Sequence, residues 1–266
     1  VAAAQFALEK PGYIYSRLMN PTVETLQERL ATLEGGVGAA ATGSGMAAFD
    51  LTTFLLAEAG DNIVSSNSLY GGTYTYLTHS VERRGVTTRF VDTLDYEGYE
   101  AAIDEDTAYV HLETIGNPAL DTPDIERVAD IAHDHGVPLF VDNTFATPAL
   151  CRPLEHGADL VWESTTKWLH GSGTTVGGVV VDGGRADGER RHRGVGVGGV
   201  VRPMWAVRLD REQRAFGNLE RLFGGLDVQR PVDHVEQFLL LLVVVVRQRD
   251  LLTGRRGKPV RRHPLE

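Results

Sequence analysis

The chain has one cysteine, Cys151, and only three lysines, Lys10, Lys167 and Lys258, among its 266 residues. A lone thiol excludes a disulfide framework and zinc-knuckle spacing, which points to a reducing compartment and a cytoplasmic protein. No basic leader followed by an apolar stretch opens the sequence, and Val1 stands in place of an initiator methionine, as though a longer N-terminus had preceded it. The longest apolar run, Phe238 to Val246, has nine residues, against the roughly 20 needed to cross a bilayer. No membrane span is expected. His133, His135 and His156 have no carboxylate or cysteine at ligand spacing, so no metal site is expected either.

What is present suffices for a globular core, with 42% apolar residues. The net charge of −10 hides a step: residues 1–184 hold 9 Lys and Arg against 26 Asp and Glu, whereas the remaining 82 residues hold 17 against 10. A helix should start at Asn20-Pro21, carry an apolar stripe of Val23, Leu26, Leu30 and Leu33, and stop at Gly35-Gly36. Beyond it, short β-branched strands alternate with helices. The strands are expected at 37–42, 62–65, 87–91, 108–113, 138–142, 159–163 and 176–181. Such alternation predicts an α/β fold with a mainly parallel seven-stranded sheet between helices. Ligands of these sheets sit beyond the carboxyl ends of the strands. Ser44, Tyr70, Glu113, Asn117, Asp142, Thr144 and Lys167 all fall on that rim.

Lys167, in Ser164-Thr165-Thr166-Lys167-Trp168, stands out because the chain otherwise uses arginine for positive charge. An amine can lose its proton and condense with an aldehyde, which a guanidinium cannot. Pyridoxal phosphate is the aldehyde to consider first, since it requires a lysine, a carboxylate on its pyridine nitrogen and donors around its phosphate. Asp142 closes the apolar run Val137 to Val141, where a carboxylate is costly unless paired. Ser164 and Thr166 flank the lysine as phosphate donors. The alternative is a strand-end lysine reaching water beside an aspartate that caps the next helix.

Other stretches read both ways. Gly43-Ser44-Gly45-Met46 joins a strand to a helix N-terminus, either an anion site or a tight packing turn. Tyr70 precedes Gly71-Gly72, so its ring either stacks on a flat ligand or fills a half-buried core position. Asn117-Pro118 sets an extended turn whose amide can reach the rim. Tyr15 and Arg17 form an aromatic and basic pair that is either surface decoration or a ligand contact.

Seven blocks then occur in order: Tyr15-Ser16-Arg17, Asn20-Pro21-Thr22, Ser44 to Ala48, Tyr70 to Thr73, Glu113 to Pro118, Val141 to Phe145, and Ser164 to Lys167. In this the chain resembles the Cys/Met-metabolism family of pyridoxal 5'-phosphate enzymes. The resemblance implies a fold-type-I large domain over 1–184, N-terminally incomplete. It makes Lys167 the lysine bound to the cofactor and the proton shuttle. Asp142 would hold the pyridinium, Tyr70 stack on the ring and Asn117 reach the ring hydroxyl. Ser44, Gly45, Met46, Ser164 and Thr166 would hold the phosphate, with Thr144 in the same site. Tyr15 and Arg17 would reach the phosphate of a neighbouring subunit, implying a homodimer or homotetramer with shared active sites. The loop Tyr70 to Tyr76 is similar to the O-acetylhomoserine sulfhydrylase branch, which joins O-acetylhomoserine to sulfide or a thiol. Cystathionine γ-synthase, a γ- or β-lyase, or an inactive fragment are the other readings.

After Gly183-Gly184 the resemblance ends. Residues 185–266 hold 16 arginines and one lysine, with glycine-valine repeats in place of the small C-terminal domain that brings the family its substrate-carboxylate arginine. Gly194 to Gly199 satisfies G-x-G-x-x-G but follows Arg190-Arg191-His192-Arg193 rather than a buried strand. Acidic residues interrupt the basic tail and aromatics are sparse, so no nucleic-acid partner is expected. A frame-shifted or disordered tail is the expectation.

Overall fold

The computed structural model describes residues 20–185, together with Gln5, Gly12, Tyr13, Tyr15 and Ser16. Helix α1 (Pro21–Glu34) is built as its ends predict. The Asn20 carboxamide oxygen accepts from the N–H groups of Thr22 and Val23 at 3.0 and 3.3 Å, and Gly35 closes the helix at a φ of 77° that only glycine adopts freely. The helix packs on the sheet through Leu30 and Ala31 instead of its whole stripe: Val23, Leu26 and Leu33 remain 38%, 47% and 43% exposed. Periodicity marks which residues share a face; it does not say that this chain covers that face.

The strands are β1 (Gly38–Thr42), β2 (Asn62–Ser66), β3 (Thr87–Val91), β4 (Thr107–Glu113), β5 (Leu139–Asp142), β6 (Leu160–Glu163) and β7 (Gly178–Asp182). Each lies within two residues of its expected bounds. They form one sheet in the order β1-β7-β6-β5-β4-β2-β3, parallel throughout except that β7 runs antiparallel to both β1 and β6. Helices α2 (Gly45–Leu56) and α3 (Gly71–Thr75, continued as a π turn through Ser80) cover one face. Helices α1, α4 (Tyr96–Ala102) and α5 (Ile125–Asp134) cover the other; the short α6 (Thr147–Leu150) follows β5.

Alternation along the strands divides the interior into two cores. Val141, Val161, Val179 and Val181 meet Leu30, Ala31, Val128 and Ala132 on the α1 side. Phe140, Leu160, Trp162 and Val180 meet Phe49, Leu77 and Val81 on the α2 side. Burial on both faces explains why β5 and β6 read as unbroken apolar runs. On the α2 side His111 is sealed at 0% exposure, accepting at Nε2 from the Trp162 indole (3.3 Å), with its Nδ1 against the Ser65 hydroxyl (3.3 Å). Burial pushes its pKa down to about 3, so it is a neutral core residue.

The start of α2 lies directly on β7. A Cβ added to Gly178 would overlap the Ser44 carbonyl and fall 2.6 Å from the Gly45 nitrogen, both of them backbone atoms that cannot swing away. Gly178→Ala is therefore expected to destabilise the fold by about 1–3 kcal/mol, read as a fall in thermal midpoint of roughly 2–4 °C per kcal/mol.

Candidate active site

The carboxyl ends of β4, β5 and β6 and the N-terminus of α2 converge on the α2 side of the sheet. Glu113 and Asp142 are cross-strand partners, and Asp142 in turn lies opposite Trp162. Asp142 is 5% exposed, and among the described residues no cation pairs with it. Its Oδ1 accepts from the Thr144 N–H at 2.9 Å. Burial raises its pKa to about 7, although the hydrogen bonds from Thr144 pull the other way. Glu113 is raised further, to about 9, by burial and then by the Asp142 charge, while it accepts the Tyr70 N–H at 2.6 Å. Two adjacent sealed carboxyls without a counter-cation form a site that wants a positive charge or holds protons in its place.

The residues around Asp142 are held at short range. The Thr144 hydroxyl accepts from the Ser164 N–H at 2.8 Å, tying the loop after β5 to the loop after β6. Ser164 in turn lies against Gly45, where an added Cβ would stand 2.6 Å from the Ser164 Cβ. Ser44 caps α2, its hydroxyl oxygen accepting from the Ala47 N–H at 3.1 Å. The first N–H groups of α2, on Gly45 and Met46, have no intrahelical partner and point out of the positive end of the helix. Ser44, Gly45, Met46, Thr144 and Ser164 thus form one cluster of small, donor-rich groups.

Lys167 sits in the turn after β6, its N–H donating to the Ser164 carbonyl at 3.1 Å, with an exposed side chain. The Thr166 hydroxyl donates to the Gly177 carbonyl at 3.1 Å and accepts from the Gly177 N–H at 3.0 Å, which pins the lysine turn to the approach of β7. Tyr70 is 47% exposed, and its ring lies over Gly72, whose added Cβ would strike it. Asn117 follows β4 by four residues, its N–H near the Ser68 carbonyl at 3.4 Å and its bond to Pro118 cis. Tyr15 is 56% exposed; Arg17 lies outside the described residues. A flat, positively charged ring carrying a phosphate and an aldehyde fits these groups: Asp142 for the charge, the α2 cluster for the phosphate and the open amine of Lys167 for the aldehyde.

The model of the family described as Cys/Met metabolism PLP-dependent enzymes matches residues 1–214. The chain belongs to this family. It is 51% identical over 189 residues to a homocysteine synthase of Schizosaccharomyces pombe, covering 71% of this chain and 44% of that protein. It is 49% identical over 183 residues to an O-acetyl-L-homoserine sulfhydrylase of Leptospira meyeri, covering 69% and 41%. Among solved structures, a putative O-acetylhomoserine (thiol)-lyase of Campylobacter jejuni, which carries N'-pyridoxyl-lysine-5'-monophosphate, matches with a TM-score of 0.65 and 41% identity over 68% of this chain and 45% of that one. The chain spans less than half the length of these relatives. The pyridoxal phosphate family and the fold-type-I architecture are as the seven blocks implied.

Two groups were not assigned from sequence. Glu113 falls on the rim, but its pairing with Asp142 is a cross-strand fact that only the register reveals. His133 was expected to lack a carboxylate; its Nε2 lies 2.8 Å from Asp159 Oδ2, a partner 26 residues away. Among the described residues no three His, Cys, Asp or Glu side chains gather as metal ligands, and no helix is long and apolar enough to cross a membrane.

Proposed function

We propose that this chain carries the cofactor site of a pyridoxal-phosphate γ-replacement enzyme that joins O-acetyl-L-homoserine to sulfide or a thiol, releasing acetate and giving homocysteine or methionine. The observation that carries the reading is Asp142, sealed without a cation at the sheet rim that also presents Lys167. The bound cofactor supplies an electron sink for the pair left when a proton leaves the substrate Cα. Lys167 would take that proton, hand it on and so regain a free amine, then take a second from Cβ as the γ-acetoxy group leaves as acetate; the thiolate sulfur would add at Cγ, and one proton would return to Cβ and one to Cα. Asp142 keeps the pyridine nitrogen charged, Tyr70 stacks on the ring and Asn117 approaches the ring hydroxyl. Ser44, Gly45, Met46, Thr144 and Ser164 hold the phosphate. Thr166, whose hydroxyl is engaged with Gly177, acts there only if it exchanges that bond.

The exposed stripe Val23, Leu26 and Leu33, close in sequence to exposed Tyr13 and Tyr15, favours burial against a second copy. Tyr15 and Arg17 then reach the neighbouring subunit's phosphate in a homodimer or homotetramer of the cytoplasm. Residues 185–266 form the second part of our reading, a frame-shifted tail replacing the small domain. The matched lengths of 183 and 189 residues support it, while the family model extends to residue 214. Re-reading the gene beyond codon 184 in the other frames tests it. A family-like domain in a shifted frame is the expected result, and its absence overturns the idea. For the activity, purified protein with added pyridoxal phosphate is expected to consume O-acetylhomoserine and sulfide and release one acetate per homocysteine. Cystathionine formation from cysteine at a higher rate would move the chain to the synthase branch.

A further inference from the structure

The face of the sheet opposite Asp142 carries a second acidic pair with no part in the site above. Alternation along β6 turns Glu163 away from Trp162 and toward α1, where it is 0% exposed and neither Oε1 nor Oε2 meets a donor. A carboxylate beside the phosphate-binding Ser164 would repel that phosphate if it shared its face; here it points through the sheet to the other side. Glu34, the last residue of α1, is also 0% exposed. Its Oε1 accepts from Asn143 Nδ2 at 2.8 Å, while its Oε2 has no partner. Asn143 also donates to the Cys151 carbonyl at 2.9 Å and leaves its own Oδ1 unpartnered.

Glu34 and Glu163 lie within hydrogen-bond reach of each other, yet neither brings a donor unless one of them holds a proton. The charged and titratable groups around them offer little compensation. Arg152 is engaged with Glu155 at 2.9 Å and is about half exposed, and the half-buried Cys151 thiol feels the charges of Glu34 and Glu155. Asp142 adds a further negative field through the sheet. Burial first, and then the Glu34 and Asp142 charges, favour the neutral form of Glu163. Two bare carboxylates in a dry interior repel and are desolvated at once, whereas one retained proton bridges them.

We propose that Glu34 and Glu163 share one proton, and that this bond fastens the end of α1 to the end of β6 immediately before the Ser164 to Lys167 turn, so that its loss loosens that turn from behind. The inference rests on the sheet and goes beyond the reaction proposed above, because neither side chain lies on the cofactor face. Both are positioning residues.

The sign of the pH effect follows from proton counting. The folded state holds a proton here that the unfolded chain has already released above the ordinary glutamate range, so stability falls as pH rises. In the full chain this group alone costs roughly 3–5 °C of thermal midpoint per pH unit above neutrality, until the shared proton is lost. In Glu163→Gln the amide donates to Glu34 at every pH, and the alkaline fall is expected to be shallower by that amount. Glu34→Gln should act in the same way from the other side. Difference infrared spectra at neutral pH should show a protonated-acid carbonyl band in the wild type that Glu163→Gln has lost. Equal alkaline slopes in all three proteins, or an unchanged acid band, would overturn the proposal. A purely packing role would lower the midpoint by the same amount at every pH, which also counts against it. Stabilisation of the wild type, and not of Glu163→Gln, by added potassium would place a cation where we place a proton. Should neither variant fold, the acid band is read in Glu113→Gln/Asp142→Asn, which removes the two other buried carboxyls that titrate in this range, and a band there that does not change between about pH 6 and about pH 10 is the overturning result.

Discussion

Lys167→Ala is expected to abolish covalent retention of pyridoxal phosphate and to lower turnover by at least about 10²–10⁴-fold, the span lost when a positioned proton-transfer group is removed. The side chain is exposed, so thermal stability should stay within about 0.5 kcal/mol of the parent. Lys167→Arg separates charge from nucleophilicity. A guanidinium keeps the positive charge beside Ser164 but cannot release a proton to form the bond, so Lys167→Arg should fail as Lys167→Ala does. The measurements are absorbance near the visible edge and the mass of the borohydride-treated protein. A reduced adduct that survives in Lys167→Ala would put the bond on Lys10 or Lys258 and remove the central premise of the site.

The turn that holds this lysine shows how far the residues alone could be read. Local signals fixed α1 to the residue, because Asn20 and Gly35 act within their own helix ends. They also located all seven strands, since an apolar run between helices has few other uses in an α/β chain. Rim placement followed from strand direction, and it put Asp142, Thr144 and Lys167 together before any distance was known. What escaped was the part decided by register. Glu113 beside Asp142, Glu163 against Glu34 from the far end of the described chain, and His133 on Asp159 are contacts between distant segments. Exposure of Val23, Leu26 and Leu33 escaped for a related reason, because a periodic stripe states only that some surface is to be covered. The antiparallel run of β7 escaped too: it follows a loop from Lys167 to Gly177 without a crossover helix, and so returns along β6 in the opposite direction.

Asp142→Asn should give effects of opposite sign in the two states of the protein. With pyridoxal phosphate, the variant loses the carboxylate that keeps the pyridine nitrogen protonated. Breaking a sealed ion pair costs about 3–5 kcal/mol, so cofactor affinity should fall by more than about 10²-fold. Without the cofactor the same change should stabilise the chain at neutral and alkaline pH. Buried Asp142 retains a proton up to about pH 7, where the unfolded chain has already lost it. Stability is therefore surrendered as pH rises from the ordinary aspartate range to neutrality, by roughly 1.4 kcal/mol for each pH unit. Asparagine removes that slope while its carbonyl still accepts from the Thr144 N–H. It also relieves Glu113, whose own shift owes part of its size to the Asp142 charge. Thermal midpoints against pH, with and without pyridoxal phosphate, measure both signs in one experiment. If Asp142 were only a helix-capping or packing residue, the substitution would lower stability equally with and without the cofactor. Crossing of the two pairs of curves instead means that the acid is kept at a cost to the empty fold because the filled site requires its charge.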